Sequence, residues 1–121
     1  MKKDFIKKIL SLKLGQTQAK INLNIEEEDY FSCALNYILS TLKLDELIEL
    51  KNSAECEYIK AKELKKNLVV INKQLKDNDK KTSTFDAKSF YDASSKTLAY
   101  ESLIKDCQAL IDKLNNKNLQ F

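Results

Sequence analysis

The chain of 121 residues lacks proline and tryptophan and contains a single glycine. Turns and sheets use glycine and proline for the backbone conformations they need, so this scarcity indicates a few long helices with short connections. A hydrophobic share of 43% beside 32% charged residues is typical of one folded domain. No apolar run approaches the roughly 20 residues of a membrane span, which predicts a protein with no membrane partner.

Histidine is also absent, and no two cysteines form a CxxC pair. These absences exclude histidine-based acid–base catalysis and argue against a zinc site. With no glycine-rich phosphate loop either, no catalytic constellation can be assembled, and we expect neither an enzyme nor a cofactor. Cys33, Cys56 and Cys107 are odd in number and lie in helical patterns. They are expected to be reduced core thiols of a cytoplasmic protein.

Charge is unevenly distributed, although its net value is only +3. The first 25 residues hold six lysines and one aspartate, and the next four positions, 26–29, are all acidic. A basic N-terminal surface of this kind favours an acidic partner. The same lysines interrupt the apolar positions of the N-terminus, which is therefore not expected to be a signal peptide.

Three helices are predicted from apolar residues that recur at intervals of three and four. The first begins with the acidic residues 26–29, which suit the positive end of a helix dipole, and runs to about Leu42. The second is expected over about 46–77 and the last over about 86–114, with a polar loop over 76–86 between them. The aromatic residues expected to pack in the core are Tyr30, Phe31 and Tyr37.

Polar and apolar residues alternate without a break over 17–25, the period of a half-buried strand. Residues 1–16 before it are expected to form a basic arm or a short helix that stops at Gly15. A strand cannot satisfy its own backbone hydrogen-bonding groups. The simplest solution is that two copies of the chain pair their strands antiparallel across a twofold axis. The apolar face, predicted as the dimer core, consists of Ala19, Ile21, Leu23 and Ile25.

The polar face of such a ribbon has the composition of a DNA-reading surface. A two-stranded ribbon fits the major groove, where glutamine, asparagine and lysine side chains hydrogen-bond to base edges. The candidate base-reading residues are Gln18, Lys20, Asn22 and Asn24. The alternatives are an edge strand that pairs with 5–12 or 67–71 inside a monomer, and a helix misread as a strand.

The order AKINLNIEEEDY…LKLDELIEL resembles the ribbon-helix-helix family of DNA-binding proteins, in which an alternating strand precedes an acidic-led helix, a turn and a second helix. The resemblance implies a mainly α fold with a ribbon-helix-helix unit over 17–55, whose strand pairs across a homodimer. Long C-terminal helices over 56–121 would serve oligomerisation or partner binding. The start of the second helix would offer backbone N–H groups to a DNA phosphate. The candidate phosphate-binding residues come from the basic N-terminus and from the start of this helix. They are Lys2, Lys3, Lys7, Lys8 and Lys43.

The later helices narrow the resemblance. A helix containing INKQL at 71–75 and a final amphipathic helix follow the DNA-binding unit. This order is similar to plasmid mobilisation proteins of the MobC type. That resemblance implies sequence-specific binding of double-stranded DNA at a plasmid origin of transfer, as a relaxosome accessory protein that assists a relaxase in conjugation, or as an autoregulating repressor.

Two alternatives to this function remain. One is an antitoxin with the same DNA-binding fold, which would use its C-terminal helices to bind a toxin. The other is a non-enzymatic helical interaction module, comparable to a secretion or flagellar chaperone, in which the helices over 46–77 and 86–114 form the partner-binding hairpin.

Overall fold

A computed structural model describes residues 1–77 and 87–119. These residues form four helices: α1, Lys3–Ile21; α2, Ile25–Thr41; α3, Leu44–Asp77; and α4, Ala87–Leu119. They contain no strand, so the prediction of a largely helical chain is confirmed and the predicted ribbon-helix-helix fold is wrong. The polar loop expected over 76–86 lies, apart from its first two positions, outside the described residues. In the same part of the chain, no helix combines the length and the apolar character needed to cross a bilayer.

The predicted strand over 17–25 is divided between two helices and the turn that joins them. α1 continues to Ile21 and α2 begins at Ile25. The predicted strand does not form because a helix already begins before it. Buried residues at helical spacing line this helix, α1, and no proline interrupts it. A helix pairs its own backbone groups, whereas a lone strand leaves them unpaired, so no strand pairing across a homodimer is present here. The buried stripe of α1 is Ile6, Ile9, Leu10 and Lys13.

Gly15, which was expected to stop the first helix, lies inside α1 and has a packing role. A Cβ on Gly15 would come within 2.7 Å of Cζ of Phe31 and within 2.9 and 3.0 Å of its two Cε atoms. The absence of that Cβ lets the ring on α2 lie directly against the α1 backbone. Beside this contact, Nε2 of Gln16 donates a hydrogen bond to Oγ of Ser32 at 2.8 Å. α1 and α2 therefore form a closely packed helical hairpin.

The turn between α1 and α2 is a helix-ending motif with an unusual residue in it. The N–H of Asn24 donates to the carbonyl of Ala19 at 2.8 Å, and the N–H of Leu23 donates to that of Lys20 at 3.2 Å. These are the two backbone hydrogen bonds of a Schellman motif. The motif holds Leu23 at φ 57°, in the left-handed region that glycine normally occupies. Asn24 then caps α2, because its Oδ1 accepts a hydrogen bond from the N–H of Glu27 at 3.2 Å.

The connection between α2 and α3 is equally short. The carbonyl of Lys43 accepts the N–H of Leu47 at 2.9 Å, which makes Lys43 the residue before the first turn of α3. Its own N–H donates to Oε1 of Glu46 at 3.0 Å, the half of a capping box that a glutamate at the third helical position supplies. This carboxylate satisfies one of the backbone donors left open at the start of the helix.

α3 and α4, the two helices that their apolar spacing predicted, form a long antiparallel hairpin that supplies most of the core. α1 lies on this hairpin, with Nζ of Lys13 2.9 Å from Oδ2 of Asp106 on α4, and α2 packs mainly on α1. The domain boundaries predicted after residues 16 and 55 fall inside α1 and α3. The buried residues of the hairpin are Leu47, Leu50, Ala54, Ala61, Ala93, Ser95, Ala99, Tyr100, Leu103, Cys107 and Ile111.

Candidate protein-interaction surface

The four residues predicted to read DNA bases lie at a helix end and in a turn. Gln18 and Lys20 belong to the last turn of α1, Asn22 is the C-cap residue after that helix, and Asn24 caps α2. Nδ2 of Asn22 donates a long hydrogen bond to Oη of Tyr91 on α4, at 3.4 Å. The paired ribbon on which base reading depended is absent from the described residues, and DNA binding by this chain stays a prediction.

The four residues predicted to form the dimer core separate into two kinds. Ala19 is only 3% exposed and packs within its own chain. Ile21, Leu23 and Ile25 surround the α1–α2 turn and are 46, 85 and 71% exposed. We name these three side chains the apolar knuckle. Single exposed apolar residues are ordinary in folded proteins, but three within five positions concentrate exposed apolar surface at one turn, as contact sites do.

Leu23 is the most informative member of the apolar knuckle. Its φ of 57° brings the Cβ of an L-residue too close to the following carbonyl, at a cost of roughly 1–2 kcal/mol. A side chain that is 85% exposed recovers little of this cost through burial. Glycine or asparagine would occupy the same position with less strain. Residues that keep a strained backbone conformation in the folded protein are found mostly at functional sites. Here the residue with the strained backbone is a leucine whose side chain is exposed to solvent.

A groove of about 510 Å³ lies beside the apolar knuckle, between α1, α2 and α4. Ile21 and Leu98 give it apolar walls, and Leu98 is itself 54% exposed. Lys13 is buried in the wall with its ammonium paired to Asp106. Lys20 also lines the groove and is exposed. A groove with two apolar walls and with Lys20 and Glu28 among its polar lining suits the side chains of a docked amphipathic segment. The complete lining is Lys13, Gln16, Thr17, Lys20, Ile21, Glu28, Leu98 and Ser102.

The lysines predicted to bind phosphate are all exposed, but they belong to two separate helix starts. Four of them lie at or just before the N-terminal turns of α1, and Lys43 lies immediately before α3. The backbone N–H of Lys43 is already hydrogen-bonded to Glu46, so it is not open to a phosphate in this structure. The four N-terminal lysines are Lys2, Lys3, Lys7 and Lys8.

The perturbed titratable groups belong to the core and not to this surface. Burial, with a further contribution from Asp106, raises the pKa of the Cys107 thiol to about 12, and burial raises the pKa of the Tyr100 hydroxyl. Cys107 is a core thiol as predicted, whereas Cys33 and Cys56 are exposed, so that prediction is wrong for both. Among the described residues, no group of three histidine, cysteine or acidic side chains is placed to hold a metal ion.

The aromatic residues of α2 also differ from expectation. Tyr30 and Tyr37 are 69 and 74% exposed, so the prediction that they pack in the core is wrong. Phe31 is partly buried against Gly15. The cause is that α1 covers one side of α2, while the other side, which carries the two tyrosines, faces solvent.

Comparison with known proteins gives no information on the function of this chain. It matches no protein-family model, no curated protein and no solved structure. The resemblance to mobilisation proteins accordingly stays a prediction from the sequence. The function proposed below depends on the geometry of the described residues alone.

Proposed function

We propose that this chain is a non-enzymatic helical module that binds a partner protein through the apolar knuckle and the adjoining groove. The observation that carries the proposal is Leu23, whose side chain is 85% exposed on a backbone at φ 57°. A leucine in this position lowers the stability of the free protein, and the burial of its side chain in a complex would offset that cost.

The surface favours one kind of partner, an amphipathic helix with an acidic residue beside its apolar stripe. Such a helix presents side chains at intervals of three and four that can cover Ile21 and Leu23 and enter the groove at Leu98. The ammonium of Lys20 takes part in none of the ion pairs found among the described residues, so a partner carboxylate can approach it. Each fully buried leucine or isoleucine would contribute about 1.5–3 kcal/mol.

This proposal follows the interaction-module alternative and moves the binding site from the α3–α4 hairpin to the α1–α2 turn. It needs no catalytic group, in agreement with a sequence that contains no histidine. DNA binding as a dimer, at an origin of transfer or an operator, is the competing function. The exposed lysines of α1 support it, although the ribbon that would read bases is missing from the described residues.

Photocrosslinking from a position next to the apolar knuckle tests the proposal directly. Glu27 is exposed in the first turn of α2 and is replaced by a photoreactive amino acid in the cells that naturally make the protein. Asn52, exposed on α3, carries the same group as the matched control. We expect one defined protein other than a second copy of this chain to crosslink at position 27 and not at position 52, and Leu23→Asn to reduce the yield of that product strongly.

Two results would contradict the proposal. The first is a crosslinked protein whose yield is the same with Leu23 and with Leu23→Asn, because the apolar knuckle would then contribute nothing. The second is salt-sensitive binding of duplex DNA that is lost in a Gln18→Ala, Lys20→Ala, Asn22→Ala triple variant, with no protein crosslinked at position 27. Fluorescence anisotropy at low and at physiological salt would measure the latter.

A further inference from the structure

The outer side of α2 is a second surface that nothing in the described chain covers. The inner side of the helix buries Leu35 and Leu39. Tyr30 and Tyr37 project on the other side and are 69 and 74% exposed, with the exposed Cys33 between them at helical spacing. Tyrosine is enriched in protein interfaces, where its ring supplies apolar area and its hydroxyl a hydrogen bond.

The charge of this side is entirely negative. Residues 26–29 are all acidic, and no lysine or arginine occurs in α2. Glu26 and Asp29 are exposed and lie at helical spacing from Tyr30 and Cys33, so they extend the same stripe toward the start of α2. We name Glu26, Asp29, Tyr30, Cys33 and Tyr37 the tyrosine face. Its natural occupant combines exposed apolar side chains with positive charge.

The far part of α3 has that chemistry. Five lysines and one glutamate lie between positions 59 and 73. Ile59 and Val70 are 56 and 46% exposed. They share a stripe with three exposed lysines on the side opposite the buried Ala61, and this side therefore faces away from α4. We name Ile59, Lys62, Lys66, Val70 and Lys73 the lysine face.

We infer that copies of this chain associate, with the tyrosine face of one copy packed on the lysine face of the next. The charges are opposite, both faces carry exposed apolar side chains, and the lengths are similar. At 1.5 Å per residue, the tyrosine face extends about 17 Å along α2 and the lysine face about 21 Å along α3. This contact uses none of the knuckle residues, so it is independent of the function proposed above.

The two faces are different surfaces, which makes the contact heterologous. Such a contact closes into a ring if the rotation between copies allows it and otherwise continues to larger assemblies. An electrostatic contribution also makes the association sensitive to salt, because exposed charges are screened as the ionic strength rises. Analytical ultracentrifugation of the full chain over a concentration series measures both properties.

Charge reversal provides the decisive variants. Glu26→Lys with Asp29→Lys makes the tyrosine face basic, and Lys62→Glu with Lys66→Glu makes the lysine face acidic. We expect each double variant alone to be monomeric, since its two faces then carry charge of the same sign. We expect an equimolar mixture of the two variants to associate again, because every face then meets a complementary one. Lys3→Glu with Lys7→Glu, two exposed lysines with the same spacing on α1, is the control and should associate like the wild type.

Circular dichroism establishes that each variant is folded. Because acidic residues stabilise the first turn of a helix, Glu26→Gln with Asp29→Asn provides a milder substitution of the tyrosine face and should raise the dissociation constant at least about tenfold. The inference is overturned if the wild type is monomeric at every concentration, if the folded reversal variants still associate alone, or if their mixture fails to associate. Loss of association in Leu23→Asn would also overturn it, since that result would assign self-association to the apolar knuckle.

Discussion

Gly15→Ala offers a quantitative test of the α1–α2 hairpin. In an isolated helix interior, alanine is more favourable than glycine by about 1 kcal/mol. Here the new Cβ would lie 2.7–3.0 Å from three atoms of the Phe31 ring, closer than carbon atoms pack, and overpacking of this kind costs about 1–3 kcal/mol. We expect a net loss of about 1 kcal/mol in the free energy of unfolding, or about 4 °C in Tm.

The control for this prediction removes the clash and keeps the helix. The three ring atoms near Gly15 are Cζ and the two Cε atoms of Phe31, and leucine has no atoms in those positions. In a Phe31→Leu background, Gly15→Ala should therefore stabilise the protein by up to about 1 kcal/mol. Urea denaturation followed by circular dichroism measures all four members of this cycle. Equal effects of Gly15→Ala on the free energy of unfolding in the wild-type and Phe31→Leu backgrounds would refute the close contact between Gly15 and the Phe31 ring. A loss of stability in both backgrounds would refute the placement of Gly15 inside helix α1.

Two further predictions concern the core. Burial and the nearby Asp106 raise the pKa of the Cys107 thiol from 9.0 to about 12, so the thiol ionises at lower pH in the unfolded chain than in the folded one. Its contribution to the free energy of unfolding should therefore be complete below pH 9 and decline toward pH 12. Urea denaturation at a series of pH values should show a smaller decline when Cys107 is replaced by alanine. Lys13 is only 7% exposed and its Nζ lies 2.9 Å from Oδ2 of Asp106, so Asp106→Asn, which leaves a buried ammonium unpaired, should cost about 1–3 kcal/mol and Lys13→Met less. The reverse order in urea denaturation would contradict the pairing.

The apolar spacing of α2, α3 and α4 was sufficient to predict those helices, and the error in secondary structure was confined to the segment before them. Lys13 interrupts the apolar pattern of α1 in the sequence, but it is buried because it meets Asp106, 93 positions away. A local pattern cannot reveal such a partner. The alternation over 17–25 combined the end of one helix, a turn and the start of another. Leu23 occupies the position where glycine usually marks such a turn, so the turn carried no signal.

The sequence indicated which residues of the candidate surface would make contacts, but it did not indicate where those residues lie in the fold. Helical spacing shows that Tyr30 and Tyr37 share a side of α2, but it does not show which side α1 covers. Ile21, Leu23 and Ile25 were selected as contact residues for a strand that does not form. Their exposure accompanies the end of α1 at Ile21, and that end is marked by backbone hydrogen bonds of the turn, which the residue pattern does not display.

The most direct test of the proposed function is the affinity of Leu23→Asn for the protein that crosslinks at position 27. Asparagine tolerates the left-handed backbone conformation at this position, so the substitution should preserve the turn and raise the free energy of unfolding by about 1 kcal/mol while it removes the apolar side chain. Isothermal titration calorimetry of wild type and variant with that purified partner should show an affinity at least about tenfold weaker for the variant, since a loss of about 1.4 kcal/mol corresponds to that factor. An unchanged affinity in a variant that is folded and more stable would contradict the claim that Leu23 is exposed in order to bind.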